Sequence, residues 1–136
     1  EAVESNINTK KRSRSTSSDQ TRQRKTFQAL SVQFLSQISS NRFASMFLHP
    51  VNAQEEPNYY ELIKRPVDLR TLTKDIRTGA VTSFEELEFL LQLMFSNAVM
   101  YNDMNQEEVY SGIISMMEES DRLLTMFKET IGGGSD

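Results

Sequence analysis

All three prolines of this chain, at positions 50, 57 and 66, fall inside one short interval, and the long stretches on either side carry none. Proline removes a backbone donor and breaks a helix interior, so its confinement leaves the flanking stretches free to be helical. The apolar spacing says that they are. Phe27, Leu30, Phe34 and Ile38 recur at steps of three and four, with Leu35 beside them and Phe43, Met46 and Phe47 beyond. This pattern predicts a helix from about Thr21 to Met46, stopped at His49-Pro50 because the residue before a proline is pushed out of the helical region.

A second long helix is expected to open at Ser83. Ser83-Phe84-Glu85-Glu86 is a capping box, in which a hydroxyl and a Glu side chain serve each other's free amides. Leu87, Leu90, Leu91, Met94, Phe95 and Ala98 follow as a wide apolar face. A third begins near Asn105 and runs through Val109, Ile113, Met116, Met117, Ser120, Leu123, Leu124 and Phe127, stopping before the Gly132-Gly133-Gly134 run. Residues 48–82 are too many for a plain connection, since loops beyond about 12–15 residues are uncommon and usually functional. Asp68 can cap a short helix over Leu69–Thr78, with Leu72 and Ile76 inward and Gly79 as the stop. What remains is a loop, His49–Val67, holding the prolines and Tyr59-Tyr60. No strand signal appears, so the chain reads as all-α.

Charge divides the chain. Residues 1–26 hold seven Lys/Arg (Lys10, Lys11, Arg12, Arg14, Arg22, Arg24, Lys25) against three acids, +4 in all; residues 27–136 carry −8. The tail has too few apolar residues to offset ordering entropy and is expected to be disordered. Its Lys10–Arg14 run reads equally as a nuclear-import or nucleic-acid patch and as a solvated linker. The domain is placed at 27–131, and residues 132–136 read as a flexible Gly/Ser linker, native or added by fusion. The chain opens on Glu1 rather than Met, as a piece of a longer protein would. No apolar run approaches the roughly 18–20 residues that span a bilayer, so no membrane contact is expected.

Catalysis is hard to staff. There is no cysteine, and His49 is the sole histidine. No Gly-rich phosphate loop and no calcium-loop pattern occurs, so no enzyme activity, metal or cofactor is expected. The informative stretch is Met94-Phe95-Ser96-Asn97-Ala98-Val99-Met100-Tyr101-Asn102. It sets an asparagine where a strongly apolar helix gives way to a loop. One reading makes Asn102 a helix stop, since asparagine tolerates the left-handed conformation. The other makes it a neutral amide in a pocket, able to donate to a ligand carbonyl and accept from a ligand N–H.

Three spaced motifs resemble the bromodomain family: Phe47-x-x-Pro50-Val51, then Tyr59-Tyr60-x-x-Ile63-x-x-Pro66-Val67-Asp68-Leu69, then Met94-Phe95-x-Asn97-Ala98-x-x-Tyr101-Asn102. The resemblance covers roughly Phe27 to Phe127 and implies a left-handed four-helix bundle with a long loop between its first and second helices. It also implies an acetyl-lysine site. In it Asn102 donates to the acetyl carbonyl and Tyr59 holds a water on that carbonyl. Val51 and Phe47 line the pocket, Val109 guards its mouth, and Tyr101 fixes the loop beside Asn102. The stretch MFSNAVMYN is similar to bromodomain subunits of MYST-type histone acetyltransferase complexes and related nucleosome remodellers.

Two departures stand out. Ser45-Met46-Phe47 replaces the family's Trp-Pro-Phe, removing an aromatic shelf whose burial is worth on the order of 1.5–3 kcal/mol, or tenfold and more in affinity. Met46 partly stands in for it, while Met94, Met116, Met117 and Met126 read as core filler. The loop after Asn102 is about one residue longer than usual, and its Asp103, Glu107 and Glu108 form an acidic rim suited to a basic tail. The expected function is therefore an acetyl-lysine reader that binds acetylated histone tails in the nucleus and recruits other subunits of a chromatin-modifying complex. The alternative is a scaffold with the same fold and weak or no acetyl-lysine binding. A third reading gives the basic tail a weak nucleic-acid contact.

Overall fold

The computed structural model describes residues 2–102 and 105–132, with side chains from Ser18 to Thr130 within those spans. Among the described residues the chain is all-helical, with no strand. Helix α1 spans Ala2–Ser39, a 3-10 turn follows at Ala44–Phe47, α2 is the single turn Tyr59–Leu62, and α3 is Leu69–Arg77. The long pair α4 (Phe84–Tyr101) and α5 (Glu107–Gly132) completes the bundle. Helix α1 packs on α3 and α5, and α5 packs on α4.

The helix starts follow from their side chains. The Asp68 carboxylate accepts from Thr71 N at 2.9 Å, the ordinary N-cap bond at the head of α3. Ser83 Oγ accepts from Glu86 N at 3.1 Å. The return arm of this box reaches one residue further than expected, with Glu86 Oε1 accepting from Thr82 N at 3.1 Å. That bond, ahead of weaker ones from Thr82 and Ser83 hydroxyls, holds the Glu86 carboxyl below its ordinary range. Gly79 ends α3 with φ 85°, a left-handed conformation that a Cβ disfavours. Gln28 of α1 closes the same end, its Nε2 donating to Arg77 O at 2.9 Å.

Helix α1 departs from the sequence reading at both ends. The stretch expected to be disordered, residues 1–26, is helical from Ala2. It contains no Pro or Gly, and propagation from an existing helix adds a hydrogen bond per residue without a new nucleus. Packing does not support this extension where side chains are described: Ser18–Thr26 are exposed, and burial begins at Phe27. The C-terminus comes at Ser39 rather than Met46. Ser39, Ser40 and Asn41 offer the backbone local side-chain partners, which compete with the helix ladder. Ser39 Oγ donates to Leu35 O, and Asn41 Oδ1 accepts from Phe43 N at 2.8 Å and turns the chain. Asn41 Nδ2 then reaches Glu119 Oε1 on α5 at 2.9 Å, so the turn is tied to the bundle.

The core is a single cluster. Phe34, Leu35 and Ile38 of α1 meet Leu72 and Ile76 of α3, Leu87, Leu91 and Met94 of α4, and Ile113 and Met116 of α5. Edge-to-face ring pairs Phe27–Phe84, Phe34–Phe127 and Phe47–Phe95, with centroids 5.0, 6.0 and 5.3 Å apart, join α1 to α4, α1 to α5, and the 3-10 turn to α4. Met94 and Met116 are core, as expected, but Met126 is 56% exposed. Its place on α5 faces water, one position before the half-buried Phe127. Residues 133–136, Asp103 of the expected rim and Met104 beside it lie outside the described residues.

One core group is out of keeping. Ser31 is fully buried on α1, and its hydroxyl has no hydrogen-bond partner. A buried unpaired hydroxyl carries its desolvation cost without return, and alanine is the better helix former. Ser31→Ala is expected to stabilise the domain by about 1 kcal/mol, raising Tm by a few degrees in a thermal melt. A fall in Tm would mean that the hydroxyl is paired in solution.

Candidate acetyl-lysine site

The long loop, the 3-10 turn and the end of α4 enclose a cavity of about 180 Å³. Its walls include Met46, Phe47, Pro50 and Val51 from the first loop, Tyr59 from α2, Val67 and Asp68 before α3, and Met94, Ala98, Tyr101 and Asn102 from α4. Apolar side chains make up most of the lining, with a few polar groups among them, the mix of a small-ligand site.

Two hydrogen bonds hold the loop that forms half of this wall. Asn97, buried on α4, donates from Nδ2 to Arg65 O at 2.8 Å, anchoring the segment that leads into Pro66. The Tyr60 hydroxyl donates to Val51 O, bracing the other arm. Neither partner was singled out from the sequence as a support. Tyr60 betrays itself only by standing beside Tyr59, and Asn97 by being a polar residue on an otherwise apolar helix.

Tyr59 is 8% exposed and lies edge-to-face on Tyr101, with centroids 4.8 Å apart, and on Tyr60. Burial raises the Tyr59 pKa, and the charges of Tyr60, Asp68 and Tyr101 raise it further. For Tyr101 burial again comes first, followed by a hydrogen bond to the Glu56 carboxylate and its charge. Both phenols therefore stay protonated at neutral pH, and Tyr59 can donate its O–H to a ligand or to a water that carries one.

Asn102 is the C-cap of α4, with φ −86° and ψ 147°. This is extended backbone that any residue adopts, so the left-handed explanation for an asparagine here does not hold. Its Nδ2 donates to Ala98 O at 2.8 Å. That carbonyl already accepts the Asn102 backbone N–H at 3.0 Å, so the side-chain bond duplicates one that the main chain makes. The second N–H of the same amide is left over by valence, on a residue that lines the cavity.

Of the six residues expected at the site, Phe47, Val51, Tyr59, Tyr101 and Asn102 come together on this one wall. Val109 does not. It sits half-buried one turn into α5, packed against the core, and is not among the described lining residues. Helix α5 starts at Glu107, and the helical register from there turns Val109 inward. Of the remaining rim, Glu107 and Glu108 are exposed. Met46, in the place of the family's shelf, lines the cavity and is 39% exposed. Met100, 59% exposed, does not line it.

Residues 32–113 match the family model described as Bromodomain, which is more than half of the chain. The protein belongs to the bromodomain family. It is 37% identical over 76 residues to a bromodomain-containing protein of Dictyostelium discoideum, covering 56% of this chain and 4% of that one. It is 35% identical over 69 residues to the histone acetyltransferase GCN5 of Yarrowia lipolytica, covering 51% of this chain and 15% of that one. The crystal structure of the Trypanosoma cruzi bromodomain BDF2 superposes with a TM-score of 0.69 at 27% identity, over 74% of this chain and 88% of that one. The chain thus spans under a fifth of these two curated relatives and nearly all of a solved bromodomain. What it shares with GCN5 is the bromodomain, a binding module and not the catalytic part.

Proposed function

We propose that this domain is an acetyl-lysine reader that recognises acetylated histone tails and brings the protein that carries it, with its partner subunits, to chromatin in the nucleus. The observation that carries this reading is the amide of Asn102. It stands on the wall of a mostly apolar cavity, beside two protonated phenols, with a donor that the fold does not need. The free N–H of the Asn102 amide pairs with an acetyl carbonyl, whereas a lysine ammonium carries only donors and offers that N–H no acceptor. The body of the chain is acidic, which favours a basic tail over nucleic acid at this face. Family membership and a histone acetyltransferase relative support the same reading.

The test is fluorescence polarisation with a labelled histone-tail peptide carrying acetylated or unmodified lysines. Binding that requires acetylation is expected. Equal binding of both peptides would leave only charge attraction and defeat the reading.

One observation favours the scaffold alternative. Ser45 and Met46 give the cavity no rigid shelf, while Leu62 and Phe89 stand 49% and 53% exposed elsewhere on the surface. A scaffold binds its partner irrespective of acetylation, so the same assay separates the two. In this reading the folded unit starts at Phe27, and the basic segment before it is an arm outside the binding module. Any nucleic-acid contact through Lys10–Lys25 would weaken steeply with salt, unlike a neutral amide site.

A further inference from the structure

The fixed charges around the cavity are of one sign. Among the described lining residues, Glu56 and Asp68 are carboxylates, His49 is the sole other titratable side chain besides the two tyrosines, and there is no lysine or arginine. Asp68 is nearly buried, and its carboxylate is engaged by Thr71 N at the head of α3, where the helix dipole offsets part of its charge. Glu56 has no such helix behind it. It is exposed on the loop and lines the cavity together with Tyr101. The two phenols respond to this field: after burial, Asp68 contributes to the raised pKa of Tyr59, and Glu56 to that of Tyr101.

We propose that the cavity selects among acylated lysines by charge, admitting uncharged acyl groups and rejecting those that end in a carboxylate, with Glu56 as the specificity-determining residue. This rests on the acyl-lysine reading of the site given above. An acyl group held at the Asn102 amide shares the cavity with Tyr59, Tyr101 and the carboxylates of Glu56 and Asp68. A second negative charge placed there is repelled at short range in a partly desolvated space, where Coulomb energy is larger than in bulk water. A neutral acyl group meets the same apolar lining without that penalty. Specificity of this kind comes from a repulsive element against the wrong ligand rather than from a new contact with the right one.

The experiment compares three histone-tail peptides that differ at one lysine, bearing an acetyl, a succinyl, or the terminal amide of succinyl. The last two have nearly the same size and differ in charge. Affinities are measured by competition for the full chain and for Glu56→Gln, which keeps an acceptor for Tyr101 but not the charge. The amide is expected to bind about tenfold tighter than the acid in the native chain. That ratio should fall about threefold in Glu56→Gln, and should also shrink in the native chain between about 50 mM and about 500 mM salt. Equal binding of acid and amide overturns the proposal. So does an acetyl peptide that binds while both longer peptides fail, because size would then set the selectivity. A ratio unchanged by Glu56→Gln removes Glu56 from the role, and if that variant binds nothing, a salt-independent ratio in the native chain overturns the charge mechanism. Failure of the acetyl and amide peptides alike would instead overturn the acyl-lysine reading, and this proposal with it.

Discussion

Asn102→Ala is expected to weaken binding of an acetylated peptide at least tenfold and to leave the fold intact. The loss reflects the donor to the acetyl carbonyl, since leaving a ligand acceptor unpaired in a desolvated site costs about 1–3 kcal/mol. The fold survives because the Ala98 carbonyl, the acceptor of the Asn102 side chain, keeps its bond from the Asn102 backbone N–H. Stability by urea denaturation should therefore change by less than about 1 kcal/mol. Asn102→Asp makes a sharper version of the same comparison. It preserves shape but presents only acceptors at neutral pH, so it should bind no better than alanine and face the ligand carbonyl with like polarity. An alanine variant that binds as the native chain does would return Asn102 to a structural role.

The second large effect concerns the core, not the site. Gly112 is buried in α5, and a Cβ built there would lie 2.7 Å from Cδ1 and 3.0 Å from Cγ of Phe43. The ring rests on the bare helix backbone, which is why a residue that weakens helices by about 1 kcal/mol relative to alanine sits in the middle of one. Phe43 also carries Arg42 over its ring, with Cζ 4.9 Å from the centroid, a second contact that restrains it. Gly112→Leu is expected to cost roughly 3 kcal/mol or more, a large part of a domain's total stability. Gly112→Ala should be milder, because helix propensity offsets part of the overlap. The mechanism is checked by a double-mutant cycle: adding Phe43→Ala should recover part of the leucine penalty, with a coupling of about 1 kcal/mol or more. Strict additivity would mean that the glycine serves something other than the ring.

The sequence reading reached furthest where structure is written in adjacent residues. Asp68, Gly79 and Ser83 act within three or four positions of themselves, and their helix boundaries fall where the capping chemistry puts them. The apolar faces of α4 and α5 were legible for the same reason, as periodicity is local. Helix α1 differs from the sequence expectation at both ends, spanning Ala2–Ser39. Composition measures whether a segment can bury surface, and says nothing about whether a helix already formed beside it will propagate. Its early stop goes with local side-chain bonds at Ser39 and Asn41, and the turn is then tied to Glu119, 78 positions from Asn41, a contact that no local pattern shows.

The site divides in the same way. Phe47, Val51, Tyr59, Tyr101 and Asn102 were reached through spaced motifs shared with a family, and they line one cavity. The supports of that cavity were not legible. Asn97 on Arg65 joins the loop to α4, and Tyr60 on Val51 folds the loop back on itself; each depends on the path of the loop in space. Val109 shows the converse: the family resemblance puts it at the mouth, while in the structure it packs half-buried against the core and is not among the residues that line the cavity.

The central claim, that the cavity around Asn102 binds acetyl-lysine, is tested most directly by an NMR titration of the chain with acetylated and unmodified histone-tail peptides. Backbone shifts that require acetylation and cluster at Val51, Tyr59, Tyr101 and Asn102, with Asn102→Ala silent under the same conditions, are the predicted result. A folded chain with no acetyl-dependent shift at millimolar peptide, or with shifts confined to surfaces away from those residues, would contradict it.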